Sequence, residues 1–385
     1  MFFRKRKSLL SGHHPDYIIL GALFFLLLAG FLILSSASSD LGKIKFNDTY
    51  HFIKGQFLKG FLPGVAGFLL GYFIYYRYLK KFAPFLFLIN IFLLVAVFTP
   101  LGYQAHGSFR WINLGPLSFQ PSEFLKITFI IYLASLLSSS HMKNLKQGWK
   151  AYFLFVFVCA IAGGLIFLQP ATTMAVIILA SGVVMYIYSG APVKQLLLTG
   201  LIGVVLIGFL VAVTPYRFYR FAPFWNSTIG GAVPSFKINI EATDTFHIDQ
   251  SKMAIGSGGL TGVGFGQSTS KYNLLPEPMG DSIFAVIGEE FGFIGSVFII
   301  FLYALIFWKG TYIVKKSHDD FAKLCVLGFI SVISIQAIIH IAANSGLLPF
   351  TGVPLPLISY GGTSLAVTLT MFGIIAGISK RSSLI

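Results

Sequence analysis

Residues 17–36 read YIILGALFFLLLAGFLILSS, an uninterrupted run without a charged side chain. A helix needs about 20 apolar residues to cross a hydrocarbon core about 30 Å thick, so this run predicts a membrane-spanning helix. The basic residues RKRK at 4–7 precede it, as they would in a signal peptide. The run is too long for a signal peptide and more runs follow, so we interpret it as an uncleaved anchor.

Nine further apolar runs follow along the chain. They cover residues 60–76, 82–99, 121–139, 151–168, 172–188, 195–214, 282–308, 323–343 and 359–378. Backbone polar groups in lipid must be satisfied within the segment, so each run is predicted to be helical. We therefore expect an all-α integral membrane protein with about ten transmembrane helices, in a single domain covering residues 1–385.

The composition agrees with this interpretation. Hydrophobic residues make up 56% of the 385 residues and charged residues 11%, whereas a soluble domain carries about 25% charged residues. A soluble enzyme and a disordered chain are thereby excluded. The two cysteines both lie in apolar runs, which excludes a disulfide framework.

The net charge of +15 is distributed unevenly between the two sides of the membrane. With ten spans, 17 of the 28 basic residues but only three acidic residues fall on the side of the termini. Positive charge marks cytoplasmic segments, so residues 1–16 and 379–385 are predicted to be cytoplasmic. The charge therefore indicates topology and not nucleic-acid binding.

Two segments on the opposite side are long. Residues 100–120 join the third and fourth spans, and residues 215–281 form a large extracytoplasmic loop between helices 7 and 8. Long loops of this kind are usually functional or disordered. The Gly-rich run 256–266 lacks the spacing of a nucleotide-binding loop, and we interpret it as tightly turned or flexible backbone beside a lipid headgroup.

Several ionisable residues stand at the predicted outer ends of spans. Glu123 and Lys126 share one face of a helix, and the pattern fits a structural ion pair and an anionic headgroup contact about equally. Arg110 and Trp111 suit an interfacial anchor or a phosphate contact. Asp281 stands where the large loop becomes helix, and it suits an N-cap or a catalytic carboxylate.

Deeper polar residues are interpreted as structural. Exposing both Glu289 and Glu290 to lipid would cost much free energy, so at least one should meet a cation inside the bundle. Gln336, His340 and Asn344 recur at intervals of four and share a helix face, as interhelical hydrogen-bonding groups do. The Pro-rich segment 346–356 before Ser359 predicts a re-entrant turn that lines a cavity.

Four of these segments together resemble the SEDS family of bacterial membrane proteins, which contains FtsW, RodA and SpoVE. They are FRWINLGPLSFQPSEFLK at 109–126, AIGSGGLTGVGFGQ at 254–267, LPEPMGDSIFAVIGEEFGFIG at 275–295 and GLLPFTGVPLPLISYGGTS at 346–364. They occur in the family's order, and the resemblance covers nearly the whole chain. The residues 287–290 and Asn344 favour the FtsW branch over RodA.

The resemblance implies a peptidoglycan glycosyltransferase of the bacterial cytoplasmic membrane. Such an enzyme polymerises lipid II into β-1,4 glycan strands at the outer face, with inversion at the sugar carbon, in cell division or elongation. The implied partners are a class B penicillin-binding protein and other divisome or elongasome membrane proteins. No nucleic acid and no organic cofactor are implied.

The resemblance also assigns roles to individual residues. Asp281 corresponds to the family's catalytic aspartate, and it can act as a base or hold a divalent cation such as Mg²⁺ or Mn²⁺. Arg110, Trp111, Lys126 and also Lys271 are expected to bind the substrate and its pyrophosphate. The chain departs from the family where Ala171 replaces an expected acid and where His340 replaces a frequent Asn.

Two other functions fit the same pattern. A lipid II flippase would also have polar spans and an outer cavity, but it would need a hydrophilic path to the cytoplasmic face. A non-catalytic divisome scaffold would not need a carboxylate at the centre of a cationic groove. The glycosyltransferase is the preferred prediction.

Overall fold

The computed structural model describes residues 14–105, 108–114, 117–139, 148–169, 171–213, 243–272 and 275–382. These residues form twelve α-helices, one π-helical turn (Phe57–Phe61) and one small antiparallel sheet. The helices are α1 Tyr17–Phe46, α2 His51–Gln56, α3 Leu62–Phe73, α4 Tyr76–Ala96, α5 Pro121–Leu137, α6 Trp149–Leu168, α7 Thr172–Tyr188, α8 Val193–Val213, α9 Thr243–Ser257, α10 Ile283–Lys316, α11 Asp320–Asn344 and α12 Gly362–Ser382. The strands are β1 Gly102–Ala105, β2 Ser108–Leu114 and β3 Leu117–Phe119.

Each predicted span coincides with a helix, and α2, the π-helical turn and α3 together form the second. Six helices of the described chain are long and apolar enough to cross a membrane, namely α1, α4, α6, α10, α11 and α12. The predicted helical membrane fold is confirmed. Of the predicted large loop, α9 and the segments around it are described, whereas residues 214–242 lie outside the described residues.

Helix α1 continues for ten residues beyond the predicted end of the first span. The serines at the end of the apolar run and just after it do not stop the helix, because their hydroxyl groups donate to carbonyl groups of the preceding turn. Ser35 donates to Leu32 O at 2.6 Å and Ser38 to Leu34 O at 2.7 Å. The helix ends at Asn47, which has a left-handed backbone with φ 52°.

Within the segment 100–120, the described residues form a three-stranded antiparallel ribbon, a small addition to the predicted helical membrane fold. Tyr103 pairs with Trp111 across β1 and β2, and Ile112 pairs with Phe119 across β2 and β3. Aromatic and β-branched residues favour such strands. The ribbon is too short to alter the helical architecture, and it places Arg110 beside the ends of the helices.

Helix α10 is broken at Gly292, which has φ 63° and ψ −160°. The Gly-rich segment that follows α9 satisfies the backbone groups freed by the break. Val263 N–H donates to Glu289 O at 3.0 Å and Gly264 N–H to Glu290 O at 3.1 Å. Beyond the break, the next two N–H groups donate to carbonyl groups of the same segment at 2.9 and 3.1 Å. The Gly-rich run therefore docks onto a helix. The tightly turned backbone that the sequence predicts is found, with positive φ at Gly259, Gly262, Gly264 and Gly266, and its place beside a headgroup stays a prediction.

Helices α3 and α12 pack closely through small residues. A Cβ atom on Gly64 would lie 3.1 Å from the Ala366 Cα atom, and one on Gly71 would lie 2.8 Å from the Ile374 backbone nitrogen. Small residues allow this approach of two backbones in a membrane, where the hydrophobic effect does not drive helices together. At the end of this pair, the Arg381 guanidinium donates to Phe73 O and Ile74 O at 2.9 and 2.7 Å.

Candidate active site

Asp281 lies in a tight turn immediately before α10. Gly280 N–H donates to Glu277 O at 2.9 Å, and Ser282 Oγ donates to Pro276 O at 2.7 Å. The N-cap of α10 is Ser282 and not Asp281, so the aspartate side chain is not required to cap the helix. Asp281 is half-buried and stands at the amino-terminal end of α10.

The segment between α11 and α12 packs directly against Asp281. Asn344, the last residue of α11, donates from Nδ2 to Asp281 O at 3.0 Å. A Cβ atom on Gly352 would lie only 3.1 Å from Asp281 Oδ2. The carboxylate therefore rests against backbone that has no side chain at this point. The sequence did not single out Gly352, because only the tertiary structure brings it to the aspartate.

The predicted polar row of α11 faces this same segment. Gln336 Nε2 donates to Pro354 O at 2.7 Å, and His340 Nδ1 lies 2.7 Å from Val353 O. A carbonyl oxygen only accepts, so Nδ1 of His340 carries a proton and donates it to Val353 O. The side chains of α11 thus bind backbone carbonyl groups and hold the Pro-rich segment in place beside Asp281.

Ser359 joins the other end of the segment to the turn that carries Asp281. Its hydroxyl donates to Gly280 O at 2.7 Å and accepts from Leu355 N–H at 2.8 Å. Gln56 adds a link from α2, because its side chain donates to Ser359 O at 3.2 Å and accepts from Gly361 N–H at 2.9 Å. The sequence analysis missed Gln56, although an amide just ahead of an apolar run is a signal for a buried polar contact.

Lys126 and Glu123 form a buried ion pair on α5. Lys126 Nζ donates to Glu123 Oε2 at 2.8 Å and to Gln336 Oε1 at 2.8 Å, and the lysine is fully buried. The sequence fits a structural ion pair and a headgroup contact about equally, and the structure contains the ion pair. Through Gln336 it connects α5 with α11 and the Pro-rich segment. A direct contact of Lys126 with substrate stays a prediction, because the ammonium group is enclosed in this structure.

Lys271 is enclosed in the same way. Its ammonium group donates to Ser36 Oγ at 2.8 Å and to Gly266 O at 2.8 Å, and it lies 3.1 Å from Glu290 Oε1. Lys271 and Glu290 are both buried. This contact ties α1, α10 and the Gly-rich segment together, so the cation that the sequence expected near Glu290 is Lys271.

Among the described residues no cation pairs with Glu289, and hydrogen bonds satisfy its carboxylate instead. Its carboxylate accepts from Ser268 Oγ at 2.6 Å and from the backbone N–H groups of Thr269 and Ser270 at 3.0 and 3.3 Å. Hydrogen bonds of this kind stabilise a buried carboxylate. The two adjacent glutamates of α10 thus both anchor the extracytoplasmic segment that precedes Asp281.

Arg110 and Trp111 lie on β2. Arg110 Nε donates to Gln169 O at 2.9 Å, at the end of α6. Gln169 in turn donates from Nε2 to Leu94 O at 3.1 Å. The half-buried Arg110 thus joins the ribbon to α4 and α6. The assignment of Arg110 and Trp111 to substrate binding stays a prediction.

The chain matches the family model described as a cell cycle protein, FTSW_RODA_SPOVE, over residues 17–384. It is 34% identical to stage V sporulation protein E of Bacillus subtilis over 374 residues, which cover 96% of this chain and 98% of that protein. It is also 34% identical to the probable peptidoglycan glycosyltransferase FtsW of Geobacter sp. strain M18 over 371 residues, covering 95% and 97%.

Solved structures show the same fold. A chain of a peptidoglycan synthase complex, studied for its coordination of polymerization and crosslinking, superposes with a TM-score of 0.78 at 23% identity and covers 95% of this chain and 97% of its own. The rod shape determining protein RodA of Thermus thermophilus superposes with a TM-score of 0.68 at 26% identity, covering 96% and 97%. The match to the family model and the two relatives show that this chain belongs to the FtsW/RodA/SpoVE family.

Proposed function

We propose that the chain is a peptidoglycan glycosyltransferase that polymerises lipid II in bacterial cell division or elongation. Relatives that span nearly its whole length carry the name peptidoglycan glycosyltransferase. The observation that carries the proposal for the site is the half-buried Asp281, held at the start of α10 by Asn344 and Gly352.

The chemistry needs a base and a way to stabilise the leaving group. A hydroxyl oxygen of the acceptor sugar attacks C1 of the donor sugar, the bond from C1 to the lipid diphosphate breaks, and the configuration at C1 inverts. The hydroxyl proton passes to the Asp281 carboxylate, and the lipid diphosphate leaves with the bonding electron pair. A base must lie within hydrogen-bonding reach of the proton that it takes, and the contacts of Asp281 fix its position for this task.

The proposal includes a divalent cation, Mg²⁺ or Mn²⁺, that binds together with the substrate. Over the part of the chain that the structure describes, no group of three or more His, Cys, Asp or Glu side chains is placed to hold a metal. Mg²⁺ usually binds through one or two carboxylates together with substrate phosphates. Asp281 with the diphosphate oxygens would supply such a ligand set, and the ion would neutralise charge on the leaving group.

Membership in the family also supports proposals on the location of the protein and on its partners. The chain is a multi-pass bacterial membrane protein. We propose that its termini are cytoplasmic, supported by the excess of basic residues on that side. We also propose a class B penicillin-binding protein as its partner, supported by its likeness to a chain of a peptidoglycan synthase complex. Other membrane proteins of the divisome or elongasome are further proposed partners.

The test is polymerisation by purified protein together with its class B penicillin-binding protein. Labelled lipid II and a divalent cation are added, and glycan chains are separated on a gel. Wild type should form chains, and Asp281→Asn should form none while keeping its thermal unfolding temperature. Asp48→Asn is the matched control, because Asp48 is a carboxylate outside the site that pairs with Lys54 at the surface.

Two outcomes would contradict the proposal. Chains from Asp281→Asn at the wild-type rate would refute the role of this carboxylate. Absence of chains from every protein, together with movement of lipid II across vesicles that depends on Glu289 or Glu290, would favour a flippase instead.

A further inference from the structure

The proposed reaction needs cations around a lipid diphosphate, because the leaving group carries several negative charges. The two lysines that the sequence suggested as diphosphate ligands are already bound to other side chains. Lys126 is enclosed by Glu123 and Gln336, and Lys271 by Ser36 and Glu290. A buried ion pair that is broken to release its cation leaves an uncompensated charge, which is costly. In this structure these two lysines are therefore not available to the diphosphate, and its charge has to be met by other cations.

Lys252 on α9 differs from both of these lysines. It is exposed, and it has no hydrogen bond or ion pair with any part of the chain that the structure describes. Its side chain extends over Gly346, where a Cβ atom would lie 1.9 Å from Lys252 Cε and 2.7 Å from Lys252 Nζ. Gly346 has φ 73°, so its backbone and its lack of a side chain both leave room for the lysine.

The backbone under Lys252 leads directly to Asp281. Asn344, two residues before Gly346, donates to Asp281 O at 3.0 Å, and Gly352 lies against the Asp281 carboxylate. Lys252 and Asp281 thus contact the same short segment. Two residues of chain reach at most about 7 Å, so Gly346 under the lysine lies close along the chain to the Asn344 that contacts the aspartate.

The packing of α9 fixes this arrangement. Ala254, two residues after Lys252, is buried in a small cluster with Leu275, Ala285 and Val286. These residues flank Asp281 on both sides in the sequence. Lys252 is therefore carried by a helix that is packed onto the start of α10, and its position relative to Asp281 does not depend on a free loop.

We propose that Lys252 binds the diphosphate of the lipid-linked substrate, with Asp281 at the sugar end of the same site. This inference rests on the proposed function, and it names a residue for its anionic subsite. A hydrogen bond between the Lys252 ammonium group and a phosphate oxygen would supply affinity for the substrate. The buried Lys126 and Lys271 cannot make such a bond while their present contacts are formed.

The test measures binding without turnover. The parent protein for this test carries Asp281→Asn, and each variant carries its own substitution in addition. All are placed in nanodiscs of neutral lipid, and the probe is undecaprenyl diphosphate. Lys252→Gln should weaken binding about tenfold, as expected for a lost charged hydrogen bond, and Lys252→Arg should restore it to within about twofold. Lys45→Gln is the matched control, because Lys45 is an exposed lysine in the last turn of α1.

Unchanged binding of undecaprenyl diphosphate by Lys252→Gln overturns the proposal. Weaker binding of lipid II with unchanged binding of undecaprenyl diphosphate also overturns it, because the lysine would then contact the sugar or the peptide. An equal loss from Lys45→Gln overturns it as well, since the effect would be general surface charge. Failure of the proposed function is distinguished separately, by the absence of glycan chains from protein that retains both Asp281 and Lys252.

Discussion

At the scale of single residues, the cations of this protein divide by their surroundings. Lys126 and Lys271 are buried with a carboxylate within 3.1 Å, whereas Lys252 is exposed beside the segment that holds Asp281. The sequence places all three at the same side of the membrane and does not distinguish them. Their partners decide whether a lysine holds helices together or remains accessible to an anion.

The buried pair of Lys126 and Glu123 allows a direct measurement of this difference. Lys126→Met should destabilise the protein by about 3–5 kcal/mol, because it leaves the Glu123 carboxylate buried without its cation. Glu123→Gln combined with Lys126→Met removes both charges and should recover most of that loss. Thermal unfolding in detergent gives the measurement.

The matched control is Lys323→Met, which breaks an exposed pair with Asp320 of the same spacing in sequence. An exposed pair contributes at most about 1 kcal/mol, so a similar loss from both lysines would contradict a structural role for Lys126. The doubly substituted protein also separates the two readings of the sequence. If it folds but does not polymerise lipid II, the Lys126 ammonium group is needed for more than stability.

At the scale of secondary structure elements, apolar runs predicted the helices well, because each run is long enough to decide its own conformation in lipid. They did not predict the break in α10. The backbone groups freed at Gly292 are satisfied by a segment about 30 residues earlier in the chain. No local pattern contains that information, and the same holds for Gly352 beside Asp281.

Docking of the Gly-rich segment onto α10 should depend on the absence of a side chain at Gly262. Gly262 has φ 82°, and a Cβ atom there would lie 2.1 Å from Glu290 O. Gly262→Ala should therefore combine backbone strain, about 1–3 kcal/mol, with a collision against α10. We expect a lower unfolding temperature and faster hydrogen exchange in residues 256–272.

Two neighbouring glycines separate these contributions. Gly266 has φ 79° but open space around it, and Gly256 has open space without a positive φ. Gly266→Ala should show the strain alone, and Gly256→Ala should show neither effect. Equal losses from Gly262→Ala and Gly266→Ala would mean that close packing onto α10 contributes nothing.

At the scale of the whole molecule, the described contacts define two ends of the helical bundle. One end joins Gln56 on α2 to Ser359 and, through Ser359, to the turn before Asp281. The other end joins Arg381 to the end of α3 and brings Arg77 within 3.8 Å of Asp319. The candidate active site therefore lies at one end of the bundle, and the C-terminus of α12 lies at the other. The charge distribution predicts which end faces the cytoplasm.

Side-specific labelling tests that assignment. In a protein with Cys159→Ala and Cys325→Ala, either Lys45→Cys or Lys316→Cys introduces one exposed thiol, near the end of α1 or in the last turn of α10. The thiol at 45 should react with a membrane-impermeant maleimide in intact cells, whereas the thiol at 316 should react only after permeabilisation. The basic residues around position 316 are expected to stay in the cytoplasm. The reverse pattern would place Asp281 and Lys252 in the cytoplasm, and polymerisation at the outer face would then be impossible for this arrangement of helices.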